Sequence, residues 1–242
     1  GEVVRRISGP TNKGFYRVAW NLSYPPVEVS DAPGRSSLNE EQGPLVAPGT
    51  FEVTLSRQVR GKSTELAGPV EFEVKRLRAG ALEGKDPEET AQFWRRTAEL
   101  QRSIHAASEA MQMLEERVGK LENALAASQS TPNGLARELH EIKQSLYDLK
   151  DELYGQAAKR PVNEPAKPTI RERLNAAQMG TQMSTYGPTP NHKKTLRIAE
   201  EEFVRLRKAL NKLKEERIPA FQEKLIEAGA PWTPGQEIPD VK

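Results

Sequence analysis

The side chains that most often carry chemistry are sparse in this 242-residue chain and badly spaced for one another. The three histidines, His105, His140 and His192, stand on separate stretches, and no two are spaced as paired metal ligands are. Cysteine is absent, which removes thiolate nucleophiles, thiolate metal sites and disulfides together. Ser103, His105 and Glu109 can be written as a relay, but one helix cannot bring nucleophile, base and orienting acid together beside an oxyanion pocket. Neither a G-x-S-x-G sequence nor a phosphate-cradling glycine-rich loop occurs. The runs Glu115-Glu116, Glu200-Glu201-Glu202 and Glu215-Glu216 lie among Lys and Arg, the pattern of a solvated helix face, whereas paired glycosidase carboxylates need a sugar-sized cleft. The expectation is no catalytic residue, no metal, no cofactor and no enzymatic activity in this stretch. Aromatic side chains remain as candidates for binding. Tyr16, Trp20 and Tyr24 could stack on a sugar ring, and Trp232, alone in a proline-rich tail, gains most by docking on another surface.

Composition narrows the partners. Lys and Arg number 36 and Asp and Glu 34, so the net charge of +2 supplies no field that would gather nucleic acid or an anionic membrane. Arg5-Arg6 and Lys75-Arg76-Leu77-Arg78 read as the basic concentrations, and only Phe15 and Tyr16 are near in sequence for stacking, so nucleic acid is not expected. No apolar run approaches the 18 to 20 or so residues of a membrane helix, and no membrane insertion is expected. With 36% apolar and 29% charged residues, the chain suits elongated packing around narrow seams better than one thick core. It opens Gly-Glu-Val-Val without a methionine or a leader pattern, and so reads as a piece of a longer protein.

The elements that would position these residues change character near residue 85. Ten of 17 glycines and seven of 18 prolines precede it, so short elements come first and long ones follow. Val3–Ile7, Phe15–Leu22, Phe51–Leu55 and Val70–Val74 are brief, rich in β-branched and aromatic residues and mostly alternating, which predicts strands. Phe51, Val53 and Leu55 share one face, as do Val70, Phe72 and Val74. The expected module over residues 1–80 is an antiparallel Ig-like β-sandwich with Trp20 as the inner partner of Phe51.

From Asp86 the period becomes helical. Asp86 can cap, Pro87 suits the first turn and Glu89 stands where a capping box needs it. The seam Phe93, Thr97, Leu100, Ile104, Ala107, Met111, Leu114, Val118, Leu121, Leu125 alternates fours and threes up to about Ser128. Thr131-Pro132 restarts a helix with the seam Leu135, Leu139, Ile142, Leu146, Leu149, Leu153, folded back beside the first. A proline-rich linker at 159–168 precedes a shorter helix, Thr169 to about Ser184, with Ile170, Leu174 and Ala177 inward. The last helix runs from about His192 to Ala228 on Leu196, Ala199, Phe203, Leu206, Leu210 and Leu213. Its phase breaks at Arg217, Phe221 and Leu225 resume it, and Pro219 predicts a kink. The expected fold class is therefore α+β: an Ig-like β-sandwich, then an elongated antiparallel four-helix bundle over 86–229, then a tail at 230–242.

Gly14-Phe15-Tyr16-Arg17-Val18-Ala19-Trp20-Asn21-Leu22, followed by Gly43-Pro44-Leu45-Val46-Ala47-Pro48-Gly49-Thr50-Phe51-Glu52-Val53-Thr54-Leu55, resembles the C-terminal region of bacterial sortilin-like β-propeller proteins, often labelled glycosyl hydrolase or BNR-repeat proteins. Pro188-Thr189-Pro190 before a long helix, and Ala228-Gly229-Ala230-Pro231-Trp232-Thr233-Pro234-Gly235 after it, are similar to the closing segment of the same family. The first module is also similar to the Ig-like domain of the flagellar hook-capping protein, with Phe51 where tyrosine is commoner and Asn21 where aspartate is commoner. The resemblance implies a position rather than a reaction. This region would follow an upstream propeller of the same protein, exported to the periplasm or beyond, and act as a non-catalytic accessory region that mediates protein contacts or positions the propeller. A carbohydrate-binding module and a helix-mediated oligomerisation module are the alternatives. The expected partners are the propeller and, in the alternative readings, another protein or a carbohydrate, with the chain itself expected to be a monomer.

Overall fold

The computed structural model describes residues 2–27, 43–77, 84–128, 134–156, 166–182 and 186–238. The chain divides into two compact units, Gly1–Glu99 with Ala177–Lys193, and Leu100–Ala176 with Lys194–Lys242. Its elements are strands β1 (Gly49–Val59) and β2 (Lys62–Val74), helices α1 (Pro87–Ala126), α2 (Leu135–Tyr154), α3 (Ile170–Gln182) and α4 (Pro190–Lys212), a π-helical turn (Leu213–Arg217) and α5 (Ile218–Glu227). The expected linker at 159–168 and the Thr131-Pro132 restart lie largely outside the described residues.

In the first unit, the Ig-like β-sandwich is not what forms. Among the described residues the sheet has two strands, β1 and β2, paired antiparallel as a hairpin. Val3–Ile7 and Phe15–Leu22, expected as strands, have no ladder partner there, and the nearest contribution is an isolated bridge of Ser23 to Leu45. Alternation reports that one side of a segment is apolar; it does not report that a second sheet exists to face it. The two strands that do form are longer than expected because they meet through a two-residue turn. Arg60 (φ 49°) and Gly61 (φ 80°) both take the left-handed region, the requirement of the tight turn whose twist matches a hairpin.

The register places Phe51 opposite Phe72 and Val53 opposite Val70 on one face, with Glu52 opposite Glu71 and Thr50 opposite Glu73 on the other. Register shifts follow between Val53 and Ser56. Trp20 crosses the apolar face. Its ring meets Phe51 edge-on at 5.3 Å and Phe72 at 6.1 Å, while the two phenylalanines stack at 6.0 Å. The expected Trp20–Phe51 pairing thus occurs on a single sheet layer. The start of α1 also belongs to this unit. Asp86 accepts from the backbone N–H of Glu88 at 3.4 Å, but Glu89 does not complete a capping box. It is hydrogen-bonded by Lys193 on α4, and that bond holds its carboxyl below the usual range.

The second unit is helical, and its core is the set of seams. On α1, Leu100, Ile104, Ala107, Met111, Leu114, Val118, Leu121 and Leu125 are all buried, as are the six apolar seam positions of α2. Antiparallel packing of α1 on α2 is fixed by Lys143 to Glu122 (2.9 Å), Lys150 to Glu115 (2.7 Å) and a hydrogen bond from the Tyr154 hydroxyl to Ser108. On α3, Thr169 and Glu172 form a reciprocal capping box, with the Thr169 N–H to Glu172 Oε2 at 2.8 Å and the Glu172 N–H to Thr169 Oγ1 at 3.1 Å. That T-x-x-E is plain in the sequence.

The phase break at Arg217 is absorbed by the π turn. The Ile218 N–H reaches back five residues to the Leu213 carbonyl, which inserts one residue per turn and rotates Ile218, rather than Arg217, into the core. Pro219 follows immediately, at the start of α5, where its missing N–H costs least. Phe221 and Leu225 are then fully buried. Leu146, 1% exposed, and Met113, 69% exposed, separate seam from surface. Leu146→Ala should lower unfolding free energy by about 2–5 kcal/mol, and Met113→Ala should leave it within about 0.5 kcal/mol, both read from urea denaturation.

Candidate functional site

The described residues that could meet a ligand or partner fall into separate places. On the hairpin, Val53, Leu55 and Val70 are 55%, 59% and 60% exposed and Phe72 is 36% exposed. Apart from Trp20, this face is open among the described residues. Glu52, Glu65, Glu71 and Glu73 line the opposite face, and among the described residues only Glu73 of these is paired, with Lys75 at 2.9 Å.

The four sequence-derived candidates have different surroundings. Tyr16 is half exposed, with its ring beside Gly14. Trp20 is committed to the phenylalanine cluster, and its indole N–H donates to the Ser23 carbonyl at 2.9 Å. Asn21 shapes that turn, accepting from the Ser23 N–H at 3.3 Å and from its hydroxyl at 2.5 Å. Tyr24 is capped by the Arg95 guanidinium, 5.2 Å above its ring, and its backbone carbonyl accepts from Arg5 at 2.7 Å. Trp232 is half exposed, with its indole N–H donating to the Glu237 carbonyl at 3.1 Å. Tyr16, Trp20 and Tyr24 belong to the first unit and Trp232 to the second.

It is Thr233, beside Trp232, that anchors the tail. Gln222 of α5 is buried, and its amide donates to Thr233 Oγ1 and to the Pro234 carbonyl, each at 3.0 Å. Its oxygen accepts from the Arg117 guanidinium of α1. Gly235 (φ 99°) closes over that guanidinium: a Cβ there would stand 2.7 Å from Arg117 Nη2. Burial lowers the pKa of Arg117, and its Nε is buried without a partner among the described residues. Sequence reading missed this network because Arg117 and Gln222 are 105 residues apart, and neither breaks a helical pattern.

His105 and His140 are exposed on α1 and α2. His192 works as a helix cap: its Nδ1 accepts from the Thr189 N–H, and Thr189 Oγ1 accepts from the His192 N–H, both at 3.3 Å. Among the described residues no group of three His, Asp or Glu could hold a metal ion. The groove between α1 and α2, at Gly119 and Tyr147, is about 210 Å³, below the range of about 300–1,000 Å³ typical of small-molecule sites. No described helix is long and apolar enough to cross a membrane. Comparison with protein-family models, with characterised proteins and with solved structures found no match.

Two outcomes follow. Gln222→Ala strands Arg117 and Thr233 and should cost about 1–3 kcal/mol in urea denaturation, with faster proteolytic clipping after Gly229. The Glu122 carboxylate raises the pKa of Lys143 from its ordinary 10.5. Its stabilising contribution is therefore complete below pH 10.5 and fades as pH rises through the raised value. Thermal melts on the alkaline side should show that loss in the native chain and not in Glu122→Gln.

Proposed function

We propose that this chain is a non-catalytic accessory region that holds another polypeptide, with the open hairpin face as its contact surface. One observation carries the reading: Val53, Leu55 and Val70 stand more than half exposed on one face, while carboxylates occupy the other. A period-two pattern with a single apolar side is that of a sheet covered on one face, and a two-stranded hairpin is marginal in water by itself. The occupant in this reading is an apolar β-surface of the propeller that the resemblance puts upstream, and the same resemblance supports an exported protein.

The alternatives have less behind them. A sugar-stacking platform needs open aromatic faces, and the rings of Trp20 and Tyr24 already meet Phe51 and Arg95. Pairing of helices between chains would have to use seams whose side chains are already buried within the chain.

A photoreactive benzoylphenylalanine placed at Val70, in the protein as it is produced in its cell, should cross-link to the propeller region. The same group at Glu71, on the opposite face, should not. Equal cross-linking from both positions, none from either, or hydrolysis of a glycoside by the isolated chain would each overturn the reading.

A further inference from the structure

The outer face of α4 carries a charge pattern that the net charge conceals. From Phe203 to Lys214 there is no Asp or Glu, while Arg205, Arg207, Lys208, Lys212 and Lys214 are all present and exposed. Arg205, Lys208 and Lys212 follow at intervals of three and four and form one stripe on the side away from the buried Phe203, Leu206 and Leu210. None of the five cations makes a hydrogen bond or ion pair with another described residue. Elsewhere in the same unit, Lys143, Lys150, Arg173 and Lys224 each hold a carboxylate within 2.9 Å. Like charges one turn apart destabilise a helix slightly, so the stripe carries a small cost that an anionic neighbour would relieve.

The pattern also selects the kind of anion. Glu201 stands one turn before Arg205, and Glu215 and Glu216 about one turn after Lys212, so the basic centre is closed at both ends by acid. At about 1.5 Å per residue, the centre from Arg205 to Lys212 is about 10 Å long. A nucleic-acid backbone or an anionic bilayer is charged along its whole extent and would lie over both acidic ends. The centre also lacks an exposed aromatic ring for a base to stack on, and the apolar stripe of α4 is buried and cannot enter a bilayer. A second copy of α4 laid antiparallel would set cation against cation. We infer that this face docks a short acidic polypeptide segment, about two helical turns long, with carboxylates at three- and four-residue spacing and basic residues beyond them. This surface is independent of the hairpin face.

The test is fluorescence anisotropy with a labelled 15-residue helical peptide bearing glutamates at i, i+3 and i+7 and lysine at both ends. The native chain should bind it in low salt and release it as salt rises. A chain carrying Arg205→Glu, Lys208→Glu and Lys212→Glu should bind at least tenfold more weakly, and so should the milder triple change to glutamine. A control carrying Arg57→Glu, Arg60→Glu and Lys62→Glu at the hairpin tip should bind like the native chain, and so should Val53→Glu with Val70→Glu, which removes the hairpin face alone. Circular dichroism verifies the helix content of each variant. Absence of binding by the native chain, unchanged binding by both stripe variants, or preference for a 20-base-pair duplex or for phosphatidylglycerol vesicles over the peptide would overturn the inference.

Discussion

The helical unit depends on one constraint: the apolar stripe of α1 from Leu100 to Leu125 must be covered along its length. No residue on it is more than 9% exposed. The antiparallel α2 and the α5 segment both lie against α1, and their polar contacts sort by the same geometry. Lys143, Lys150, Arg217 and Lys224 bridge neighbouring helices at the rims of the seams, where ion pairs contribute little to stability but do set register. Even the π turn answers to this demand. Without the inserted residue Arg217 would fall on the buried side; with it, the fully buried Ile218 does.

Helices were legible in the sequence because a seam of fours and threes is local information. Every position from Phe93 to Leu125 assigned to the α1 seam is buried, and so is every one from Leu135 to Leu153 on α2. The β region was legible only by halves. Phe51–Leu55 and Val70–Val74 lie inside real strands, but a strand is defined by its partner, and Phe15–Leu22 has the alternation without a ladder. Pairing depends on residues far away in the chain, and period-two patterning carries no record of which they are. Trp20 shows the limit well: its expected contact with Phe51 is present, whereas the sandwich expected from the alternating segments around it does not form.

Sites were harder to read than elements. Trp232 drew notice as the lone aromatic of the tail, yet the tail is held by Thr233 through Gln222 and Arg117, ordinary polar residues of two helices and a turn. A half-buried guanidinium with an amide as its partner becomes visible only once the helices are side by side. The basic stripe failed to register for a different reason. The acidic runs at Glu200–Glu202 and Glu215-Glu216 balance it in any count of charge, and only the helix phase separates an outer row of cations from the acids at its ends.

Hairpin and stripe are unsatisfied in opposite ways. The hairpin exposes apolar area, for which water has a steady cost that scales with surface, on the order of 25 cal/mol per Å², so contact there is rewarded by burial and is largely indifferent to salt. The α4 stripe exposes cations, which water solvates well. A partner gains there only by neutralising charges that repel one another, and that gain shrinks as ionic strength rises. A protein bound by the first surface would be held firmly and without much regard to conditions, and one bound by the second would be selected by sequence of charge and released by salt. In the proposed function, the hairpin face would keep the chain attached to one polypeptide and the stripe would let it meet and release another.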